Sequence, residues 1–206
     1  MRKFLFTIIT IILIMALTSC VVELVLPEDS ETELAAAREA CSTLNNLTQK
    51  KYERIELEIN TKNSFANLSS NYVLTDSEVT YSIERLNLLP ADGDITGMAY
   101  DYKNTISGSA SVENGQITKL DGNDVTLPEY DQLTGCFNFN VDNMENVSVK
   151  NNRLVADIIS PADFYGAEVE MEDLRITVEY TDSAIVEINI SYKLLDTTVK
   201  TVYSFA

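Results

Sequence analysis

Apolar residues follow two different rhythms along the chain. Leu34, Ala37, Cys41, Leu44 and then Leu47 or Thr48 recur at intervals of three and four, the spacing that lines up one face of an α-helix. Just upstream, Ser30-Glu31-Thr32-Glu33 has the Ser-x-x-Glu form of a capping box, Pro27 precedes it, and its acids suit the positive end of a helix dipole. A helix over 31–48 is therefore predicted, ending near Lys50-Lys51, with Cys41 in the middle of its buried stripe.

After Tyr52 the period falls to two. Ile55, Leu57 and Ile59 alternate with Glu56, Glu58 and Asn60, and Val79, Tyr81 and Ile83 with Thr80, Ser82 and Glu84, the signature of strands with one buried face. The same alternation continues through Tyr72/Leu74, Tyr100/Tyr102, 106–112, Ile117/Leu120, Phe137/Phe139/Val141, Val147/Val149, 154–158, 174–180, 188–194 and 199–205. Asn114-Gly115, Asp121-Gly122, Asn151-Asn152 and Thr181-Asp182-Ser183 supply turn chemistry between them. Most gaps are too short for a crossover helix, so the sheet is expected to be antiparallel. No repeat or linker marks an internal domain boundary.

About ten strands at roughly 4.8 Å spacing span about 48 Å, whereas a helix of about 18 residues is roughly 27 Å long and about 10 Å across. One such helix covers only part of one face. The expected class is α+β: one N-terminal amphipathic helix packed on a large curved antiparallel β-sheet, half-barrel-like. The surplus apolar surface is hidden by curling, by closure, by a second layer, or by a cavity that takes apolar cargo.

The N-terminus adds a location. Arg2 and Lys3 precede an uncharged apolar run from Phe4 to Leu17, which meets Thr18-Ser19-Cys20, the layout of a secretory signal peptide. Leu17-Thr18-Ser19-Cys20 resembles the bacterial lipobox, an aliphatic and two small residues before a cysteine. That resemblance implies diacylglyceryl modification of Cys20, cleavage after Ser19, and a mature protein held on the extracytoplasmic side of the cell membrane. The plan is then a leader over 1–19, a short membrane-proximal tether over 20–29 and one domain over 30–206. Two other readings of the stretch are a spanning helix continued through Val21 to Leu26, with Glu23 in its distal part, and a secreted protein with an incidental cysteine.

Charge and composition then remove functions. Fifteen Lys and Arg against thirty-two Asp and Glu give a net charge of −17, which argues against a nucleic-acid partner and leaves an acyl chain to attach the protein to a membrane. With no histidine among the 206 residues, Ser-His-Asp and Cys-His mechanisms and His-ligated zinc are excluded. Asp92-Gly93-Asp94 and Asp121-Gly122-Asn123-Asp124 read as turns and not as calcium loops, and Glu168, Glu170 and Glu172 as a solvated strand face. No metal, cofactor or catalytic set is expected, and hence no enzyme.

If lipid consumes Cys20, Cys41 and Cys136 remain, an even pair that a disulfide would use outside the cytoplasm; two separate buried thiols are the other reading. Alternation places Cys136 opposite Phe137 and Phe139, so a bridge to the helix stripe needs either a bulge at Gly135 or Cys136 lying just outside the strand.

The order of elements, a lipobox followed by one amphipathic helix and a long antiparallel series, is similar to the half-barrel lipoproteins of the LolA, LolB and LppX group. No diagnostic motif accompanies the likeness, and only Ser160 to Gly166 could supply the further lid helix that members often have. It implies a carrier of a lipid-like ligand, with Leu34, Leu44, Tyr81, Phe137, Phe139, Phe164, Tyr165, Tyr203 and Phe205 as pocket-lining candidates. The alternative is a structural or interaction module of the cell envelope with a filled core, in which those aromatics are plain core. Neither the ligand nor the oligomeric state follows from the sequence.

Overall fold

A computed structural model describes residues 28–48, 54–63, 66–91, 94–118, 127–128, 133–135 and 137–206. Residues 34–206 form one compact unit. The preceding unit, 1–33, contributes only the first six residues of a helix to the description.

That helix, α1, runs Glu28–Thr48. It starts three residues before the expected point, so Ser30 lies inside its first turn and does not cap it. Glu28 and Asp29 suit the earlier start, because acids favour the first turn of a helix. The stripe behaves as its spacing requires: Ala37, Ala40, Cys41, Leu44 and Leu47 are buried, whereas Leu34 is 40% exposed.

Ten strands follow, all antiparallel: β1 Arg54–Lys62, β2 Ala66–Thr75, β3 Glu78–Ala91, β4 Asp94–Glu113, β5 Gln116–Ile117, β6 Met144–Lys150, β7 Arg153–Ile158, β8 Glu172–Tyr180, β9 Ile185–Leu194 and β10 Thr197–Phe205. They make a single open sheet in the order β5-β4-β3-β2-β1-β10-β9-β8-β7-β6. Each half is a run of consecutive hairpins, and the halves join where β1 pairs with β10, from Ile55 opposite Phe205 to Lys62 opposite Thr198. The α+β class and the antiparallel sheet are those the periodicity predicts.

Turn chemistry is met where it was expected. Asn114 and Gly115 have φ of 53° and 72°, and Asn151 and Asn152 have 52° and 56°, the left-handed backbone that a two-residue hairpin demands. At 181–184 the Thr181 hydroxyl accepts hydrogen bonds from the backbone N–H of Ser183 and Ala184. Asp92-Gly93 and the Asp121–Asp124 cluster lie outside the described residues.

Three expectations are corrected. The segments at 100–102 and 106–112 are one 20-residue strand, β4. Glu168 and Glu170 precede β8, so only Glu172 belongs to a strand. Phe137–Val141 makes no ladder with the sheet; residues 137–140 run into a 3₁₀ turn, Val141–Asn143, capped by the Asn140 side chain.

The two sheet faces differ completely. One carries Leu57, Tyr72, Val79, Ala110, Leu154, Ile176, Val178, Ile188 and Ile190, all buried in one contiguous core with Cys41, Leu44 and Leu47 of α1. Burying each large aliphatic side chain contributes about 1.5–3 kcal/mol. The other face alternates Glu56, Glu58, Thr80, Ser82, Ser107, Ser109, Arg175 and Glu179, all exposed. Its ion pairs include Arg153–Glu179 at 3.4 Å and Arg175–Asp157 at 3.0 Å, both across the register of β7 and β8.

Candidate functional site

Six of the nine predicted pocket residues come together as one ring cluster. Phe137 stacks on Phe164 with centroids 4.9 Å apart and planes at 6°, and meets Tyr165 and Tyr203 edge-on at 5.6 and 5.3 Å. Phe139 approaches Phe164 edge-on at 5.7 Å. Tyr203 in turn stacks on Phe205 at 6.4 Å. These separations lie within the contact range of aromatic pairs. The rings are therefore one another's neighbours. Leu44 and Tyr81 belong to the same core, and Leu34 does not.

Sequence positions far apart supply the cluster, and backbone chemistry holds it. Phe137 and Phe139 project from the unladdered 137–140 segment. Asn45 of α1 clamps that segment: its Nδ2 donates to the Phe139 carbonyl at 2.7 Å, and its Oδ1 accepts from the Phe139 N–H at 2.9 Å. One asparagine amide thus satisfies both backbone groups of Phe139, as a neighbouring strand would.

Phe164 and Tyr165 come from a short helix, α2, Pro161–Tyr165, with Ser160 at its N-cap, Pro161 in its first turn and Gly166 ending it at φ 68°. The same amide device fixes its entry. Asn143 donates to the Ser160 carbonyl at 2.8 Å and accepts from the Ser160 N–H at 2.6 Å. The Ser160–Gly166 stretch is helical, as its composition allowed.

Two glycines make room for rings. A Cβ on Gly108 of β4 would stand 2.4 Å from Tyr81 Oη, so the Tyr81 side chain lies across that backbone. Gly135, at φ +63°, would place a Cβ 3.0 Å from both Phe137 and Tyr203. Only glycine meets the backbone and the space there without strain.

Burial governs the titratable groups. The Tyr165 phenol is pushed well up, chiefly by desolvation and then by the neighbouring Tyr203 and Tyr192 phenols. Tyr192 is raised by burial alone. The Cys41 thiol is free and buried, lies 3.9 Å from Met144 Sδ, and is pushed up to about 11 by desolvation. Such a thiol is protonated and unreactive at neutral pH. Cys136, the other half of the expected pair, lies outside the described residues, as does Cys20.

Among the described residues, the polar face holds open clefts of a different kind. One, of about 410 Å³, lies at the β6–β7 turn among Lys150, Asn152, Arg153 and Tyr180. The larger, of about 530 Å³, crosses β10, β1, β2 and β3 at the β1–β2 end. Nothing in the residue alternation announces either, because a polar strand face reads the same whether flat or concave. Asn45 and Asn143 were equally unmarked, and Gly135 was marked only as a possible bulge; the one hint for Asn45 is that it sits on α1 between Leu44 and Leu47.

Among the described residues no helix is long and apolar enough to cross a membrane. Comparison with known proteins brings no match to a family model and none to a curated protein.

Proposed function

We propose that the chain is an extracytoplasmic lipoprotein, anchored through an acylated Cys20, whose folded domain is a non-catalytic interaction module of the cell envelope. The packing of the aromatic cluster carries this reading. Side chains that would have lined a ligand chamber fill one another's space instead, with Phe139, Phe164 and Leu44 no more than 1% exposed. A module built this way keeps its core for stability and works through its outer surface.

The lipid-carrier reading keeps one support. On the apolar face, Ile59, Ile83 and Ile106 of β1, β3 and β4 are only half-buried, a row that an acyl chain would suit. Native mass spectrometry before and after lipid extraction separates the two. A protein of unchanged mass that takes up no amphiphile is expected for the module; stoichiometric uptake of a fatty acid or phospholipid would replace that reading with the carrier. For the anchor, Cys20→Ala should move the protein from the membrane fraction to the soluble one, and retention in the membrane would instead favour a spanning N-terminal helix.

A further inference from the structure

We infer that the 530 Å³ cleft on the polar face is a binding site for a polyol phosphate, a flexible hydroxyl-rich chain bearing phosphate groups. The cleft lies on the face away from the aromatic cluster and owes nothing to the anchor or to how the core is filled, so it goes beyond the function proposed above.

Sheet register builds it as two rows, each four strands wide. Lys200, Asn60, Ser69 and Glu84 stand opposite one another in turn on β10, β1, β2 and β3. Thr198, Lys62, Asn67 and Leu86 form the next row on the same face. All eight line the cleft. Lys62 and Lys200 are therefore diagonal neighbours on adjacent strands, a separation of about 7–8 Å from which two long side chains can reach one anion.

In a chain of net charge −17 this pairing of cations stands out, and neither lysine forms an ion pair among the described residues. The remaining basic groups of the polar face mostly do: Arg54 with Glu56, Arg153 with Glu179, Arg175 with Asp157 and Lys193 with Asp173. Glu58 is engaged by Asn60, which donates to it at 2.8 Å, and Glu84 stands three strands away from Lys200, about 14 Å at strand spacing.

The donor set selects the ligand. Lysine ammoniums act as point charges suited to phosphate, whereas a carboxylate is met best by the arginine fork, and no arginine lines this cleft. Between the charges, the Asn60 and Asn67 amides and the Ser69 and Thr198 hydroxyls both donate and accept, as free hydroxyls require. Leu86 adds apolar surface for carbon atoms, and the absence of a lining ring disfavours a stacked base. The Asn67 Oδ1 is buried without a hydrogen-bond partner, a costly state. Rotation of its amide into the cleft would give it a ligand hydroxyl to pair with.

Isothermal titration of the full-length protein with poly(glycerol phosphate) tests the site. Saturable binding is expected, weaker as salt rises, and reduced by about tenfold or more in a Lys62→Gln/Lys200→Gln variant, whose exposed positions leave the fold intact by circular dichroism. Lys150→Gln, in the other cleft, should bind as the parent does. Three results would overturn the assignment: no saturable heat at low salt, undiminished affinity in the double variant, or equal affinity for polyglutamate, which would reduce the effect to unspecific charge attraction.

Discussion

The two faces of one sheet are made by the same alternation and end up with opposite properties. On the apolar face, Ile176 and Leu154 are fully buried in one core with Phe164 of α2, and each contact is shared with several others, so removal of one group is felt by many. On the polar face, cross-strand pairs such as Arg175–Asp157, with the arginine side chain 54% exposed, stand in water and act nearly alone. The first face holds the buried core, and the second is the one on which a ligand site is proposed. A substitution should reveal which face it touches by whether it changes unfolding or binding.

The largest expected effect is on the ring cluster. Phe164→Ala should lower the unfolding free energy by about 3–5 kcal/mol, read as a shift in denaturant midpoint; a loss under about 1 kcal/mol would mean that the cluster is loosely filled after all. Asn143→Ala comes next, at about 1–3 kcal/mol, because the Ser160 N–H and carbonyl lose their partners at a buried site. Asn143→Asp keeps the acceptor but sets a carboxylate oxygen against the Ser160 carbonyl, so it should cost at least as much as the alanine. Gly108→Ala should cost about 1–3 kcal/mol through displacement of the Tyr81 ring, and an unchanged midpoint would show that the ring moves aside freely.

Alkaline pH provides a milder perturbation of the same face. The Cys41 thiol ionises at 9.0 when exposed and near 11 when folded. The folded state thus holds its proton across that interval, and stability falls as pH rises through it. Tyr72, Tyr165, Tyr180 and Tyr192 are raised chiefly by burial as well and add to the fall at their own, higher pH. Urea midpoints measured from pH 8 to 11 should decline, and Cys41→Ala should flatten the early part of that decline. Smallest of all, Arg175→Gln should change stability by about 0–1 kcal/mol, as exposed pairs do. If it instead destabilised as strongly as Asn143→Ala, the distinction between the faces would fail.

How legible the molecule was in its sequence follows from what each pattern physically reports. Alternation placed a segment on each of the ten strands because the sheet has one wet face, and Asn114-Gly115 and Asn151-Asn152 located their hairpins through the left-handed backbone they tolerate. The same alternation misplaced Phe137 and Phe139. It registers an extended chain with one buried side, and Asn45 provides that without a neighbouring strand. The ring cluster was foreseen residue by residue, both as pocket lining and as plain core, since no local signal says whether two distant rings face a void or each other. The lysine cleft was wholly hidden, because Lys62 and Lys200 meet only through the pairing of β1 with β10.

That pairing also orders events in time. β10 is the tenth strand to leave the ribosome, yet it occupies the centre of the sheet. Hairpins β1–β5 and β6–β9 can zip locally as they emerge, whereas β1 must wait with its outer edge bare until its distant mate arrives, a closure slowed by the long intervening chain. A nascent or truncated polypeptide therefore presents a sticky margin at its middle. Closure of the sheet therefore depends on the pair of strands furthest apart in the chain, Arg54–Lys62 and Thr197–Phe205.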